Sequence, residues 1–231
     1  KLTILGSGTS QGIPVIACDC PVCRSADPHD KRLRASAMLD IKGKKIIIDA
    51  GPDFRYQMLR SQVKDLRAIL LTHGHKDHIG GLDDVRAFNW VKQGAVDVYG
   101  NEGTREVVYK DFSYAFAAFR YPGVPEINYH VIDDRPFYID DIQVVPIPVL
   151  HYKMPVLGFR IGNFAYITDA KTIPASSMER LKGVEYLVIN ALRKELHMSH
   201  FNLEEALTMI ARIQPKSAFL THIGHQMGLS A

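Results

Sequence analysis

The chain is predicted to fold as a layered α/β sandwich in a single domain, residues 1–231, and three observations carry that expectation. Short β-type runs recur along the sequence, and several are nearly continuous Val, Ile and Leu, as in strands covered on both faces. Stretches with helical spacing interleave with them without strict βαβ alternation, which favours layers over a doubly wound sheet. The composition is that of an ordinary globular protein: of 231 residues, 46% are hydrophobic and 23% charged. A chain of this length buries a substantial core without cross-links.

In chain order, strands are expected at residues 2–5, 36–41, 45–49, 68–72, 96–99, 142–149, 157–161, 164–168, 186–190 and 218–221. Lys42-Gly43-Lys44 and Gly162-Asn163 lie between apolar runs where a tight hairpin turn belongs, so part of the sheet structure is expected to be antiparallel. Helices are expected at residues 53–62, 83–91, 102–112 and 176–182. The clearest lies at 202–213, where Leu203, Ala206, Leu207, Ile210 and Ala211 follow the three-four spacing and Asn202 with Glu205 forms a capping box. Residues 111–120 are aromatic-rich and fit either core or helix.

Charge and apolar runs exclude several classes. Lys and Arg number 28 against 25 Asp and Glu, a net +3 that marks neither a nucleic-acid nor a membrane surface. The longest apolar stretch, residues 144–150, holds two prolines and falls far short of the roughly 18 residues of a membrane span. Lys1-Leu-Thr-Ile-Leu5 runs directly into Gly6-Ser-Gly8 and lacks the apolar segment of a secretory signal. All three cysteines fall within six residues, Cys18-Asp-Cys20-Pro-Val-Cys23, so a disulfide framework is excluded and a reducing, cytoplasmic location is expected.

Histidine is in excess, at ten copies. Four ligand-type side chains crowd into Thr72-His73-Gly74-His75-Lys76-Asp77-His78-Ile79-Gly80-Gly81-Leu82, directly after an apolar strand. Imidazoles with a carboxylate at this density suit zinc, manganese or iron, and two neighbouring ions account for the mixture of ligand types.

His-x-His-x-Asp-His after a strand, followed by Gly-Gly-Leu, resembles the signature of the metallo-β-lactamase superfamily, and the resemblance extends over essentially the whole chain. It implies a four-layer αββα sandwich and a binuclear metal-dependent hydrolase. Further positions match the remaining ligand motifs: His151 after Pro148-Val149-Leu150, Asp169 in Tyr166-Ile-Thr-Asp169, and His222 in Phe219-Leu-Thr-His222. By this resemblance His73, His75 and His151 hold one metal, Asp77, His78 and His222 the other, and Asp169 bridges them. Asp49 resembles the aspartate that orients these ligands from behind.

Cys18, Cys20 and Cys23 offer three thiolates, one short of a closed tetrahedral zinc site, and His225, three residues beyond His222, is the candidate fourth ligand. Together with Gly6-Ser-Gly8-Thr-Ser-Gln-Gly12-Ile-Pro14, this combination resembles the PhnP-type phosphodiesterases, which act on cyclic phosphates. In that branch and in tRNA-processing relatives, a histidine just before a late helix serves phosphodiester chemistry. His200 matches that position, so His200, Asp77 and, in support, His197 are the residues expected to take part in the reaction. The chemistry so implied is attack on a small phosphoribosyl cyclic phosphate or 2′,3′-cyclic nucleotide by a metal-bridging hydroxide. The expected cofactors are two active-site divalent metals, zinc or manganese with iron as a further option, and one structural zinc. The expected partners are a small anionic phosphodiester and, at most, a second copy of the chain, with neither membrane nor nucleic acid.

Two alternatives stay open. A ribonuclease Z-like tRNA 3′-processing nuclease shares the metal ligands and the late histidine, but that branch carries a basic substrate-gripping arm that has no counterpart here. A thioester or lactam hydrolase, the non-phosphodiesterase hydrolase option on the same fold, leaves His200 and the cysteines unexplained, and a flavo-di-iron type of redox protein normally substitutes a carboxylate within the first metal motif, where this chain keeps His75. PhnP-like chains continue beyond the final His-x-x-His, so a further short C-terminal segment is expected in the native protein.

Overall fold

The computed structural model describes residues 1–230, which fall into two compact units. The first comprises Lys1–Gly6 and Ala35–Asp133, the second Ser7–Arg34 and residues 134–230.

The first unit is built on a six-stranded sheet in sequential order: β1 (Leu2–Gly6), β2 (Ser36–Ile41), β3 (Lys44–Ile48), β4 (Ala68–Leu70), β5 (Val96–Gly100) and β6 (Ile127–Val131). β1, β2 and β3 pair antiparallel, whereas β3 to β6 run parallel. Lys42 and Gly43 close the β2–β3 hairpin with φ values of 53° and 83°, the left-handed pair that matches the twist of the strands. Parallel neighbours need crossovers. These contain the helices Phe54–Arg60, Arg86–Lys92 and Glu102–Asp111, each close to its expected position. Ile47, Ile69, Leu71 and Val98 are fully buried against Phe54, Leu82 and Val85.

The second unit holds the other six-stranded sheet, in the order β12-β11-β10-β9-β8-β7. Its strands are β7 (Phe137–Ile139), β8 (Ile142–His151), β9 (Met154–Ile161), β10 (Phe164–Ile167), β11 (Tyr186–Asn190) and β12 (Ser217–Thr221). β7 to β10 are antiparallel, with Gly162 and Asn163 at the expected turn between β9 and β10, while β10, β11 and β12 are parallel. The helices Ala175–Arg180 and Leu203–Ile213 cross between the parallel strands.

Helix Leu203–Ile213 carries the expected capping box: Asn202 accepts from the Glu205 N–H, and Glu205 accepts from the Asn202 N–H. Its packed face differs in part from the expected one. Ala206, Met209, Ile210 and Ile213 pack on the sheet, whereas Leu207 is half exposed and Ala211 lies on the outer side.

β6 and β7 have no counterpart among the expected strands. Asn128 and His130 interrupt the apolar run of β6, and β7 is three residues long. The aromatic-rich segment 111–120 contributes a short helix, Ser113–Phe116. Among the described residues no helix is long and apolar enough to cross a membrane.

Candidate functional site

Ligand-type side chains gather where strands end. In the first unit β3 runs into Asp49, which is fully buried and takes a left-handed backbone (φ 64°). Its Oδ1 accepts the Thr72 N–H at 2.8 Å, Thr72 Oγ1 donates to the carboxylate at 2.9 Å, and His78 Nδ1 lies 2.7 Å from Oδ2. Burial pushes the Asp49 carboxyl above the usual range, against the pull of His78 and Thr72.

The segment after β4 supplies His73, buried, and His75, exposed. The short helix Lys76–Ile79 then carries Asp77 and buried His78. His73 Nε2 and His75 Nδ1 are 3.0 Å apart, and His78 Nε2 is 3.1 Å from Asp77 Oδ2. Ligand atoms about 2.0–2.1 Å from a tetrahedral metal lie about 3.3 Å from one another, so both pairs have the spacing of neighbours in one coordination shell.

The loop is seated on backbone as well as on the Asp49 carboxylate. The Ala50 N–H donates to His78 O and the Gly81 N–H to Ala50 O, each at 2.8 Å. A Cβ at Gly51 would lie 1.9 Å from Asp77 O, and one at Gly81 would lie 2.1 Å from Gly51 O, so both positions require glycine.

In the second unit His151 ends β8, Asp169 follows β10 and His222 follows β12. Asp169 and His222, both buried, again take left-handed backbone, at φ 57° and 55°. Non-glycine residues seldom adopt this conformation, and such strain concentrates at functional positions. His222 Nε2 stands 3.3 Å from Asp169 Oδ1, and His200 Nε2 stands 3.4 Å from Asp169 Oδ2. Donor atoms of His151, Asp169 and His200 all lie within 4.8 Å of one another.

The segment between β11 and helix Leu203–Ile213 brings His197 and His200 together, with their Nδ1 atoms 3.2 Å apart. Burial, with the neighbouring His200 and Arg193, holds His197 below the usual imidazole range. Buried Asn190 exchanges two hydrogen bonds with the backbone of Ala170 and so holds the residue after Asp169.

These donor sets fit divalent metals. His73, His78 and His151 each have Nδ1 occupied, by Thr72 Oγ1 at 3.0 Å, Asp49 at 2.7 Å and Ser199 O at 2.8 Å. That is the second anchor that orients a metal-ligating imidazole and leaves Nε2 for the ion.

The cysteine cluster lies wholly in the second unit. Sγ of Cys18, Cys20 and Cys23 stand 3.3, 3.3 and 3.5 Å from His225 Nδ1. A tetrahedral zinc with Zn–S near 2.3 Å and Zn–N near 2.05 Å sets that edge at about 3.5 Å, so the four residues fit a closed Cys₃His site. The Cys23 N–H, donating to Cys20 Sγ, is the largest influence bringing the Cys20 thiol down to about 6, with His225 and the other thiols adding to it. Burial raises Cys23. A thiolate at Cys20 is therefore ready at neutral pH to bind a cation.

Within the first unit the structure brings together Asp49, His73, His75, Asp77 and His78. Within the second it brings together His151, Asp169, His197, His200 and His222, and separately Cys18, Cys20, Cys23 and His225. Thr72, Asn190 and Ser199 are supporting residues to which the sequence reading assigned no role. Asn190 carries a signal, a polar residue closing an apolar strand. Ser199 carries none beyond its place between two histidines.

A family model described as a Beta-lactamase superfamily domain matches residues 44–223. A crystal structure described as a new diphosphatase from the PhnP family superposes with a TM-score of 0.91 at 41% identity, covering 97% of this chain and 86% of that one. Human tRNase Z, short form, shares the fold at a TM-score of 0.74 and 18% identity, covering 100% of this chain and 95% of that one. Among curated proteins, an octanoyltransferase of Porphyromonas gingivalis is 42% identical over 99% of this chain and 47% of its own length. A ribonuclease Z of Nostoc punctiforme is 29% identical over 71% of this chain and 47% of its own length. The chain thus spans about half the length of these two curated relatives. The strand-end ligands, the αββα sandwich class shared with these neighbours and the family match converge: the chain belongs to the metallo-β-lactamase superfamily and is PhnP-like within it.

Proposed function

We propose that this protein is a metal-dependent phosphodiesterase that hydrolyses small cyclic phosphates, of the phosphoribosyl cyclic phosphate or 2′,3′-cyclic nucleotide type. The observation that carries the proposal is the convergence of Cys18, Cys20 and Cys23 on His225 Nδ1 in a chain 41% identical to a PhnP-family diphosphatase. The cysteine set separates the PhnP-type pattern from the ribonuclease Z pattern, whose metal ligands are otherwise the same.

The histidine motif His73, His75, Asp77 and His78, with His151, Asp169 and His222, is assigned to divalent metals in the pattern that the family resemblance implies, and the cysteine set to zinc. Such ions act as Lewis acids toward phosphoryl oxygens and lower the pKa of water. The chain's own residues do the rest. Asp49 and Thr72 hold the first-unit ligands in place, and His200, beside Asp169, is assigned the role of giving the departing oxygen its proton.

A second reading, cleavage of a diphosphate, is favoured by the description of the PhnP-family neighbour as a diphosphatase. It uses the same groups, because an in-line displacement at phosphorus again needs charge neutralisation and a protonated leaving oxygen. Acyl transfer is not carried over from the Porphyromonas relative, because the matching stretch is 47% of that protein and the name describes the whole.

The test is metal analysis together with a panel of 2′,3′-cyclic nucleotides, phosphoribosyl cyclic phosphate, nucleoside diphosphates, bis(p-nitrophenyl) phosphate, precursor tRNA, a thioester and a cephalosporin. Turnover of the cyclic and model diesters without cleavage of thioester or cephalosporin is expected. Precursor tRNA as the preferred substrate would replace the proposal with the nuclease reading, and a preference for diphosphates would replace it with the second.

A further inference from the structure

Ser199 makes contacts with three histidines, and two of these contacts come from its backbone. Its carbonyl accepts from His151 Nδ1 at 2.8 Å, and its N–H donates to His197 Nδ1 at 3.3 Å. Its Oγ lies 3.3 Å from His197 Nδ1 and 3.2 Å from His200 Nδ1, and those two ring nitrogens are 3.2 Å apart.

A backbone N–H only donates and a backbone C=O only accepts, whereas a hydroxyl or a neutral imidazole does either. The two backbone groups therefore remove the ambiguity. His151 must carry its proton on Nδ1 to meet the carbonyl, which leaves Nε2 as a lone pair. His197 must present a lone pair at Nδ1 to meet the N–H, so its proton is on Nε2. His200 Nδ1, facing the lone pair of His197 at 3.2 Å, must then carry a proton, because two lone pairs at that distance repel. Ser199 Oγ, 3.2 Å from His200 Nδ1, can share the proton on that nitrogen as a second acceptor.

From these directions we infer that the backbone of Ser199 sets the tautomers of His151, His197 and His200, so that Nε2 is the nitrogen that His151 presents to its metal and His200 to the departing oxygen. For His200 the inference deepens the phosphodiesterase proposal and rests on it. When the P–O bond breaks and its electron pair stays on the departing oxygen, the proton that oxygen receives leaves from Nε2 of a His200 ring that carries a proton on each nitrogen, Nε2 lying 3.4 Å from the Asp169 carboxylate, and the ring ends neutral. The ring retains its Nδ1 proton on His197 and Ser199. His197 is on this account a positioning residue. Burial, with the neighbouring His200 and Arg193, lowers the His197 imidazole, which is the direction this pattern needs.

The experiment has two arms on the zinc-loaded protein. Long-range ¹H–¹⁵N correlation spectra of the histidine rings, recorded without substrate, are expected to show His200 protonated at Nδ1 and His197 with an unprotonated Nδ1. Kinetics on bis(p-nitrophenyl) phosphate then compare His197→Asn, whose Oδ1 replaces the Nδ1 acceptor, with His197→Leu, which has none. His197→Leu is expected to lower kcat by about 10–100-fold with KM and metal content unchanged, and His197→Asn to recover to within about fivefold of wild type. Ser199→Ala, which keeps both backbone groups, is expected to cost about two- to fivefold, less than His197→Leu.

A neutral His200 protonated at Nε2 alone, or equal losses in His197→Asn and His197→Leu, would overturn the inference. The expected tautomers in a protein that turns over no phosphodiester would leave the tautomer assignment standing and remove the hydrolase proposal.

Discussion

In the unit of β1–β6 the ring of His78 is held by a buried carboxylate, Asp49 Oδ2 at 2.7 Å, whereas in the unit of β7–β12 the ring of His151 is held by a backbone carbonyl, Ser199 O at 2.8 Å. The distances are nearly equal and the physics is not. Asp49 is a carboxyl in a site with no solvent exposure, where the cost of its charge is offset only in part by His78 and two donors from Thr72. Ser199 O is neutral and costs little to bury, but it orients a ring only while the 191–202 segment keeps its shape. The first arrangement depends on the identity of one residue. The second depends on the path of the chain and on whatever fixes that path.

The contrast can be broken experimentally. The largest effect is expected from Asp49→Ala, which leaves buried His78 and Thr72 without their shared acceptor. Loss of one partner from a buried pair costs about 3–5 kcal/mol, and metal content should fall with it. Chemical denaturation with parallel metal analysis reads both, and a loss under about 1 kcal/mol would place Asp49 on the same footing as a neutral anchor.

A smaller effect is expected from Cys20→Ser, which removes one ligand of the cysteine cluster. Stability should fall, with one zinc lost per chain and the remaining metals and their chemistry retained. Full stability with an unchanged metal count would show that the thiols hold no ion.

The smallest belongs to Asn202→Ala. Asn202 caps helix Leu203–Ile213 and also donates from Nδ2 to Lys194 O, tying the histidine-bearing segment at its far end. About 1 kcal/mol should be lost in thermal unfolding, and amides of residues 194–200 should exchange faster. Unchanged exchange there would mean that the path of the segment is fixed elsewhere.

The same contrast explains what could be read in the sequence. His73, His75, Asp77 and His78 are contiguous and follow one apolar strand, so their convergence is written in spacing. Asp169 and His222 are visible only because β10 and β12 are apolar enough to show where each ends. β6 is hidden because Asn128 and His130, which meet Asp97 of β5 on one face of the sheet, break its apolar run. On helix Leu203–Ile213, helical spacing alone could not distinguish Leu207 from Met209, because the buried stripe is fixed by the sheet beneath it. Ser199 acts through groups that every residue except proline possesses, so no residue type announces it.

The glycines under the histidine loop have a consequence for how this protein can change. With the Gly51 and Gly81 positions touching backbone carbonyls, even alanine would force the main chain apart at the foot of the ligand loop. A mutational library aimed at new substrates should therefore find that foot closed to variation. Diversity belongs instead at exposed positions of the second unit, such as Tyr152, Leu196 and Met198, whose neighbours His151 and His197 are each held by a main-chain group.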